Sequence, residues 1–113
     1  MAGGRWRVRL SIAADHDFAS VLRWTTQAFG PKQASDYRQM IVQAIRALGS
    51  GPDLPDSKAR DEVQTGVRTL RVARRGRRGR HILVYRVIDE GVIEVLRILH
   101  DAMDLGRHVP PGR

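Results

Sequence analysis

The 113-residue chain contains no cysteine, which excludes a disulfide framework, a thiolate nucleophile and a cysteine-ligated metal site. It also lacks any apolar run near the ~18 residues of a membrane-spanning helix, and its first residues lack the apolar core of a signal peptide. We therefore expect a cytoplasmic protein. Lysine is scarce too, since it occurs only at Lys32 and Lys58, so arginine carries almost all of the positive charge.

Arrangements of side chains typical of common enzymes are missing as well. The sequence shows no paired carboxylates at catalytic spacing, no glycine-rich phosphate-binding loop at a helix start and no serine–histidine–aspartate set. His16, His81 and His108 lack metal-ligand spacing, and we interpret them as surface residues. We expect no metal and no cofactor.

Positive charge is what the sequence has in excess, with a net charge of +8 at pH 7. The charge is uneven, because residues 66–113 carry 11 basic and 5 acidic side chains while residues 1–65 carry 9 and 7. Such a surface favours an acidic partner, either nucleic acid or an acidic protein face. Arginine suits bidentate recognition of phosphate or carboxylate, although a GC-rich genome would bias the composition in the same way.

Residues 91–105, GVIEVLRILHDAMDL, are the most informative stretch. Their apolar side chains fall at both odd and even positions, which predicts a strand buried on both faces in the middle of a small sheet. The strand is followed by the polar segment 100–104, and the ends of such strands often carry catalytic or binding residues.

The remaining patterns predict the elements around this strand. An edge strand is expected at 5–12, a helix at 14–29 capped by Asp15 or Asp17, a second helix at 31–48 and a crossing loop at 50–63. Further strands are expected at 66–73 and 81–88, separated by a flexible basic loop at 74–80. A three-residue turn at 89–91 would place Ile88 opposite Val92 and Arg86 opposite Glu94.

The predicted order is β-α-α-β-β-β, an α+β fold with a helical hairpin packed on a small, mostly antiparallel sheet. The length fits one domain across residues 1–113, large enough to bury roughly two thirds of its unfolded surface. We interpret residues 1–4 as a loose leader and residues 109–113 as a tail.

Three stretches then show a family resemblance. The helix and link DFASVLRWTTQAFGPKQASDY, the strand GVRTLRVA and above all HILVYRVIDEGVIEVLRILHDAMDLGRHV resemble the RelE/ParE toxin superfamily of bacterial type II toxin–antitoxin modules, in its ParE branch. The resemblance implies a toxin that inhibits DNA gyrase by binding, without a catalytic site of its own. It also implies a hetero-oligomer with a ParD-like antitoxin that wraps the hairpin and sheet, and operator DNA bound only through that antitoxin.

The RelE branch is the alternative, and its members cleave mRNA on the ribosome. That chemistry needs cations at the scissile phosphate and a tyrosine or histidine for acid–base work. The positions that resemble the RelE cation and tail tyrosine are Met103 and Val109, which weakens this interpretation. A nuclease would use Arg71, Arg80 and His100. A third alternative is a protein that still binds antitoxin but has lost its toxicity.

We assign candidate roles on this basis. The predicted target-binding residues are Arg74, Arg75, Arg77, Arg78, Arg80, His100 and Asp104. The predicted antitoxin-binding residues are Trp24, Tyr37, Arg68 and Arg71. Each role has a structural alternative: a solvated turn for the arginine loop, backbone capping for His100 and Asp104, and a semi-buried core position for Trp24. Met103 is expected to anchor the tail on the core.

Overall fold

A five-stranded sheet and two long helices make up most of the chain in the computed structural model, which describes residues 5–74 and 76–109 and the side chains of all of these except Arg74 and Arg77. The predicted leader at 1–4, Arg75 and the end of the predicted tail lie outside the described residues. The elements are β1 (Arg7–Leu10), α1 (Ile12–Phe29), α2 (Pro31–Ala47), a 3₁₀ turn (Leu48–Ser50), β2 (Ser57–Ala59), β3 (Arg68–Arg74), β4 (Arg77–Asp89), β5 (Val92–His100) and α3 (Leu105–His108).

The sheet has the strand order β1-β5-β4-β3-β2, in which β1 lies parallel to β5 and all other neighbours are antiparallel. This is the predicted α+β fold with an interior final strand. In the described part of the chain no helix is long and apolar enough to span a membrane.

The strand β5 is buried on both faces, as its sequence predicts. One face packs against the helical hairpin through Ile93, Val95 and Ile98. The other face forms a second, smaller cluster of Val67, Val84, Leu96 and Leu99, against which Leu105 and Val109 pack. The expectation for Met103 was wrong, because 39% of this residue is exposed and the anchors of this segment are Leu105 and Val109.

Helix α1 begins earlier than its predicted start. Its N-cap is Ser11, whose Oγ accepts a hydrogen bond from the Ala14 backbone N–H at 3.0 Å. The predicted caps Asp15 and Asp17 were therefore wrong, and β1 ends at Leu10 because the chain turns into the helix at Ser11. The Gly30–Pro31 link between the helices lies where the sequence predicts it.

Two further segments differ from the sequence-based expectation. The crossing loop contains the short strand β2, which has no apolar alternation and pairs with β3 from Ser57 opposite Leu70. The basic loop is mostly strand, because β3 and β4 continue to pair as far as Arg74 opposite Arg77 and leave only residues 75 and 76 between them. Gly76 has φ of 78°, which suits a tight turn.

One of the two residue pairs predicted between β4 and β5 is observed in the structure. Arg86 lies opposite Glu94, as predicted, whereas Val92 lies opposite Asp89 and not Ile88. The reason is a shift in register between Val87 and Asp89, which places one extra residue in β4.

Candidate functional site

A group of polar side chains lies where β5 ends and meets its neighbours and α2. We call it the strand-exit cluster. Its members come from α2, β3, β4, the last residue of β5 and the residue after it, and they are Tyr37, Arg71, Arg80, His81, His100 and Asp101. The pairing of β4 with β5 brings several of them together, because His81 lies directly opposite His100 and the Asp101 N–H donates to the Arg80 carbonyl at 2.8 Å.

Asp101 is the electrostatic centre of the strand-exit cluster. Its Oδ2 accepts a hydrogen bond from Arg71 Nη1 at 2.9 Å, and its Oδ1 lies 4.0 Å from Arg80 Nε and 3.4 Å from His100 Nδ1. The hydrogen bond from Arg71 is the main reason that the pKa of Asp101 lies below its ordinary value, with Arg80 and His100 adding to it. The carboxylate is therefore hydrogen-bonded to Arg71 and lies at the limit of ion-pair distance from Arg80, the two cations that a nuclease would use.

The two histidines and Tyr37 form the inner side of the cluster. Tyr37 Oη lies 2.7 Å from His81 Nδ1, and the His81 and His100 rings are 5.4 Å apart, edge to face. Burial, followed by the charge of His100, lowers the pKa of His81, so this side chain is neutral at pH 7. Burial raises the pKa of Tyr37. The surface interpretation of His81 was wrong.

His100 and Asp104 both make the backbone contacts of the structural alternative. His100 Nδ1 accepts from the Ala102 N–H at 3.1 Å, and Asp104 Oδ1 accepts from the Gly106 N–H at 3.0 Å as the N-cap of α3. These contacts define the path of the chain after β5. The side chain of His100 nevertheless remains 42% exposed.

The paired strands beyond the cluster carry the predicted target-binding arginines. We call residues 72–80 the arginine ribbon. Arg71 Nη1 donates to the Gly79 carbonyl at 2.9 Å at its base, and the Gly79 backbone packs directly against the Tyr37 ring. Arg78 is exposed, as is 76% of the Arg80 side chain. Arg74 and Arg77 are placed by their backbones alone.

The predicted antitoxin-binding residues do not lie in one place. Tyr37 and Arg71 belong to the strand-exit cluster. Arg68 instead binds the loop before β2 and the start of that strand. It donates hydrogen bonds to the Pro52 carbonyl at 3.0 Å and to Ser57 Oγ at 2.7 Å. Trp24 is 59% exposed and packs edge to face on Phe29, so its core interpretation was wrong: the next residue, Thr25, takes the inward position.

Two important residues were not singled out as site residues from the sequence. Asp101 is one of several polar residues after β5, and only the partners that the fold brings to it distinguish it. Asp17 was expected to cap α1 but instead accepts from Arg97 Nε at 2.7 Å and Nη2 at 2.9 Å. The pKa of Arg97 is raised mainly by this hydrogen-bonded pair. No sequence pattern indicates a contact across 80 residues.

Across residues 5–74 and 76–109, no three histidine, aspartate or glutamate side chains are grouped so that they could hold a metal ion.

Comparison with known proteins decides the family. Residues 8–105 match the profile described as the ParE toxin of the type II toxin–antitoxin system, parDE. The chain belongs to the ParE toxin family. It is 34% identical over 103 residues to Toxin ParE1 of Mycobacterium tuberculosis, covering 91% of this chain and 97% of the relative. It is 30% identical over 104 residues to Toxin ParE1 of Caulobacter vibrioides, covering 89% and 95%.

Solved structures of two toxin–antitoxin systems share the fold of this ParE-family toxin. A chain of the chromosomal ParDE system from P. aeruginosa superposes with a TM-score of 0.65 at 23% identity, covering 84% of this chain and 95% of that one. A chain of a RelBE complex from M. tuberculosis superposes with a TM-score of 0.52 at 24% identity, covering 85% and 98%. The RelE/ParE-like fold predicted from the sequence is thus confirmed.

Proposed function

We propose that this ParE-family toxin inhibits DNA gyrase by binding and carries no catalytic site of its own. The observation that supports a binder over a nuclease is the 2.9 Å contact between Arg71 and Asp101. A cation that must bind a scissile phosphate is already paired with a carboxylate, and Arg80 lies on the other oxygen of the same carboxylate. Charge-assisted pairs of this kind are strong enough to compete with a phosphate.

The acid–base side of a nuclease is weak for a similar reason. His100 Nδ1 accepts a backbone hydrogen bond, and the residues after β5 include no tyrosine. Tyr37 has a raised pKa because of its burial, so it is a poor proton donor at neutral pH. The test of the proposal is negative supercoiling by purified gyrase, which the toxin should block.

The proposal includes a ParD-like antitoxin as the partner in a hetero-oligomer, with operator DNA bound through that antitoxin. The net charge of +6 over residues 66–113 favours an acidic, amphipathic segment that folds on binding. Trp24, Tyr37, Arg68 and Arg71 remain the predicted contacts, and the exposure of Trp24 beside Phe29 supports an apolar anchor there. Because gyrase acts on chromosomal DNA, the proposal also implies a cytoplasmic location.

The neighbouring reading frame tests the antitoxin partner. It should encode a small protein with a DNA-binding N-terminal part and an acidic C-terminal part, and the two proteins should purify together. A toxin that is harmless by itself and bound by no neighbour would contradict this part of the proposal.

Ribosome-dependent mRNA cleavage is the second candidate function. The observation in its favour is that Arg71, Arg80 and His100 all lie within 4.0 Å of one carboxylate, so the three residues named for a nuclease are neighbours. Cuts in ribosome-bound mRNA that disappear in His100→Ala would favour this function over gyrase inhibition.

A further inference from the structure

The arginine ribbon is a two-stranded arm. β2 pairs with β3 only as far as Leu70, and β5 pairs with β4 only from His81, so in the described part of the chain no third strand continues beside residues 72–79. At ~3.3 Å per residue, the Gly76 turn lies about 10 Å beyond Gly79. The register shifts between Arg71 and Ala73, and such an irregularity bends and twists a strand pair away from its parent sheet.

The base of the arm is fixed in place. Arg71 joins the Gly79 carbonyl to Asp101, and the Tyr37 ring packs against Gly79, where an added Cβ would lie 2.8 Å from the phenol oxygen. An arm that is ordered before binding loses less conformational entropy when it docks.

The sequence of the arm is rich in positive charge. Its sequence between Val72 and Arg80 contains five arginines and no acidic residue. The register places the backbones of residues 74 and 77 opposite each other. Within the described residues Arg78 is exposed and has no carboxylate within ion-pair distance. An external polyanion would supply the negative charge that this segment lacks.

The chemistry of the arm favours nucleic acid over an acidic protein. Its largest apolar side chain, Val72, is fully buried, so the arm offers no apolar anchor of the kind that protein interfaces place at their centres. A two-stranded ribbon fits the major groove of B-DNA, which is about 12 Å wide, whereas the major groove of A-form RNA is too deep and narrow for side chains to enter.

We propose that the arginine ribbon docks in the major groove of duplex DNA and binds phosphates on both sides of it, without sequence preference. This contact is separate from operator recognition, which we assign to the antitoxin. It deepens the proposed function, because the substrate of gyrase is itself duplex DNA, but it concerns the free toxin and is measured without gyrase.

A charge-matched pair of variants tests this proposal. Arg78→Ser/Arg80→Ser removes two exposed arginines from the ribbon, and Arg5→Ser/Arg7→Ser removes two exposed arginines at the β1 edge of the sheet. Both variants have a net charge of +6, which follows from the +8 of the parent chain. Exposed substitutions usually change stability by no more than about 0.5 kcal/mol each, so both should melt close to the wild type. Binding of each protein to a fluorescent 20-base-pair duplex is measured across a salt series.

We expect the wild type to bind with a steep salt dependence and the ribbon variant to show a slope shallower by about 1.8, since each lost phosphate contact removes about 0.9. Between 200 and 50 mM salt, the affinity gap between wild type and ribbon variant should therefore widen by about twelvefold. The Arg5/Arg7 variant should keep most of the wild-type slope.

Three results would overturn the proposal. An equal loss of slope in both variants would mean that only total charge matters. The absence of duplex binding by the wild type would exclude the contact. Tighter binding to an A-form RNA duplex than to DNA would assign the ribbon to another nucleic acid. Because gyrase is absent from the assay, each result leaves the gyrase proposal to its own test.

Discussion

At the scale of single residues, Asp17 stabilises the edge of β5. Strand β1 pairs with β5 no further than Val95, so the backbone N–H of Ile98 has no partner in β1. Asp17 reaches across from α1 and accepts this N–H at 2.9 Å while it also binds Arg97 through two hydrogen bonds. Arg97 in turn donates to the His108 carbonyl at 3.0 Å, which links α1, β5 and α3.

The first prediction concerns this aspartate. Asp17→Asn removes the charge that binds Arg97, and hydrogen bonds to charged groups contribute about 2 kcal/mol. We expect a melting temperature lower by about 8 °C for a chain of this size. Asp15→Asn is the control, because Asp15 is an exposed aspartate on the same helix. Equal melting of the two variants would show that the Asp17–Arg97 pair adds nothing.

The second prediction is a pH dependence that arises from His81. Its pKa is lowered in the folded state, so between that value and the ordinary 6.5 the unfolded chain binds more protons than the folded chain. Stability therefore falls as the pH drops below 6.5, with a slope of at most about 1.4 kcal/mol per pH unit. His81→Asn keeps an acceptor near Tyr37 Oη but does not titrate.

Denaturant unfolding at several values between pH 7 and pH 5 checks this effect. The wild type should lose stability faster than His81→Asn as the pH falls. The other groups that face His81, which are Tyr37, His100, Asp101 and the more distant Asp17, are present in both proteins. Asp101 titrates below its ordinary 3.8, outside this range. Parallel pH profiles would mean that burial of His81 does not shift its titration.

At the scale of secondary-structure elements, the contact of α2 with the base of the arginine ribbon depends on a glycine. A Cβ at Gly79 would lie 2.8 Å from Tyr37 Oη, closer than real Cβ atoms are found, and 3.0 Å from the Val72 carbonyl oxygen, which is tighter than most real Cβ contacts. The backbone angles of Gly79 are not in the left-handed region, so its requirement is one of space.

The third prediction follows from this contact. Gly79→Ala should destabilise the protein by about 1–3 kcal/mol, because α2 and β4 must separate or Tyr37 must turn away. The cost should be smaller in a Tyr37→Phe background, which removes the closest atom, so the two substitutions should not be additive. Gly49→Ala is the matched control, since the nearest atom to its Cβ lies at 3.8 Å. Equal costs at positions 49 and 79 in thermal melts would contradict the packing argument.

At the scale of the whole molecule, the features that the sequence predicted correctly are those that depend on a pattern of neighbouring residues. The alternation of β1, the Gly30–Pro31 link and the two-sided apolar run of β5 each follow from neighbouring residues, and together they led to the correct fold. The contacts that the sequence could not predict join distant residues: Asp17 with Arg97, Arg71 with Asp101, and Tyr37 with Gly79. The short strand β2 escaped prediction because only its pairing with the edge of β3 defines it.

The family resemblance depends on the same local patterns, which is why it could be found before the structure. The site could be predicted only in part. The nuclease alternative named Arg71, Arg80 and His100 together, and the fold brings them together, but the carboxylate that lies beside all three came from the structure. The pairing of Asp101 with Arg71 supports the binding role that the sequence favoured over phosphate cleavage.

The measurement that tests the central claim most directly is negative supercoiling of relaxed plasmid by purified gyrase with increasing toxin, run beside cleavage of ribosome-bound mRNA. We predict that supercoiling is blocked, that adding the antitoxin restores it, and that the mRNA stays intact. Supercoiling that proceeds at every toxin concentration, together with mRNA cuts that disappear in His100→Ala, would contradict the claim.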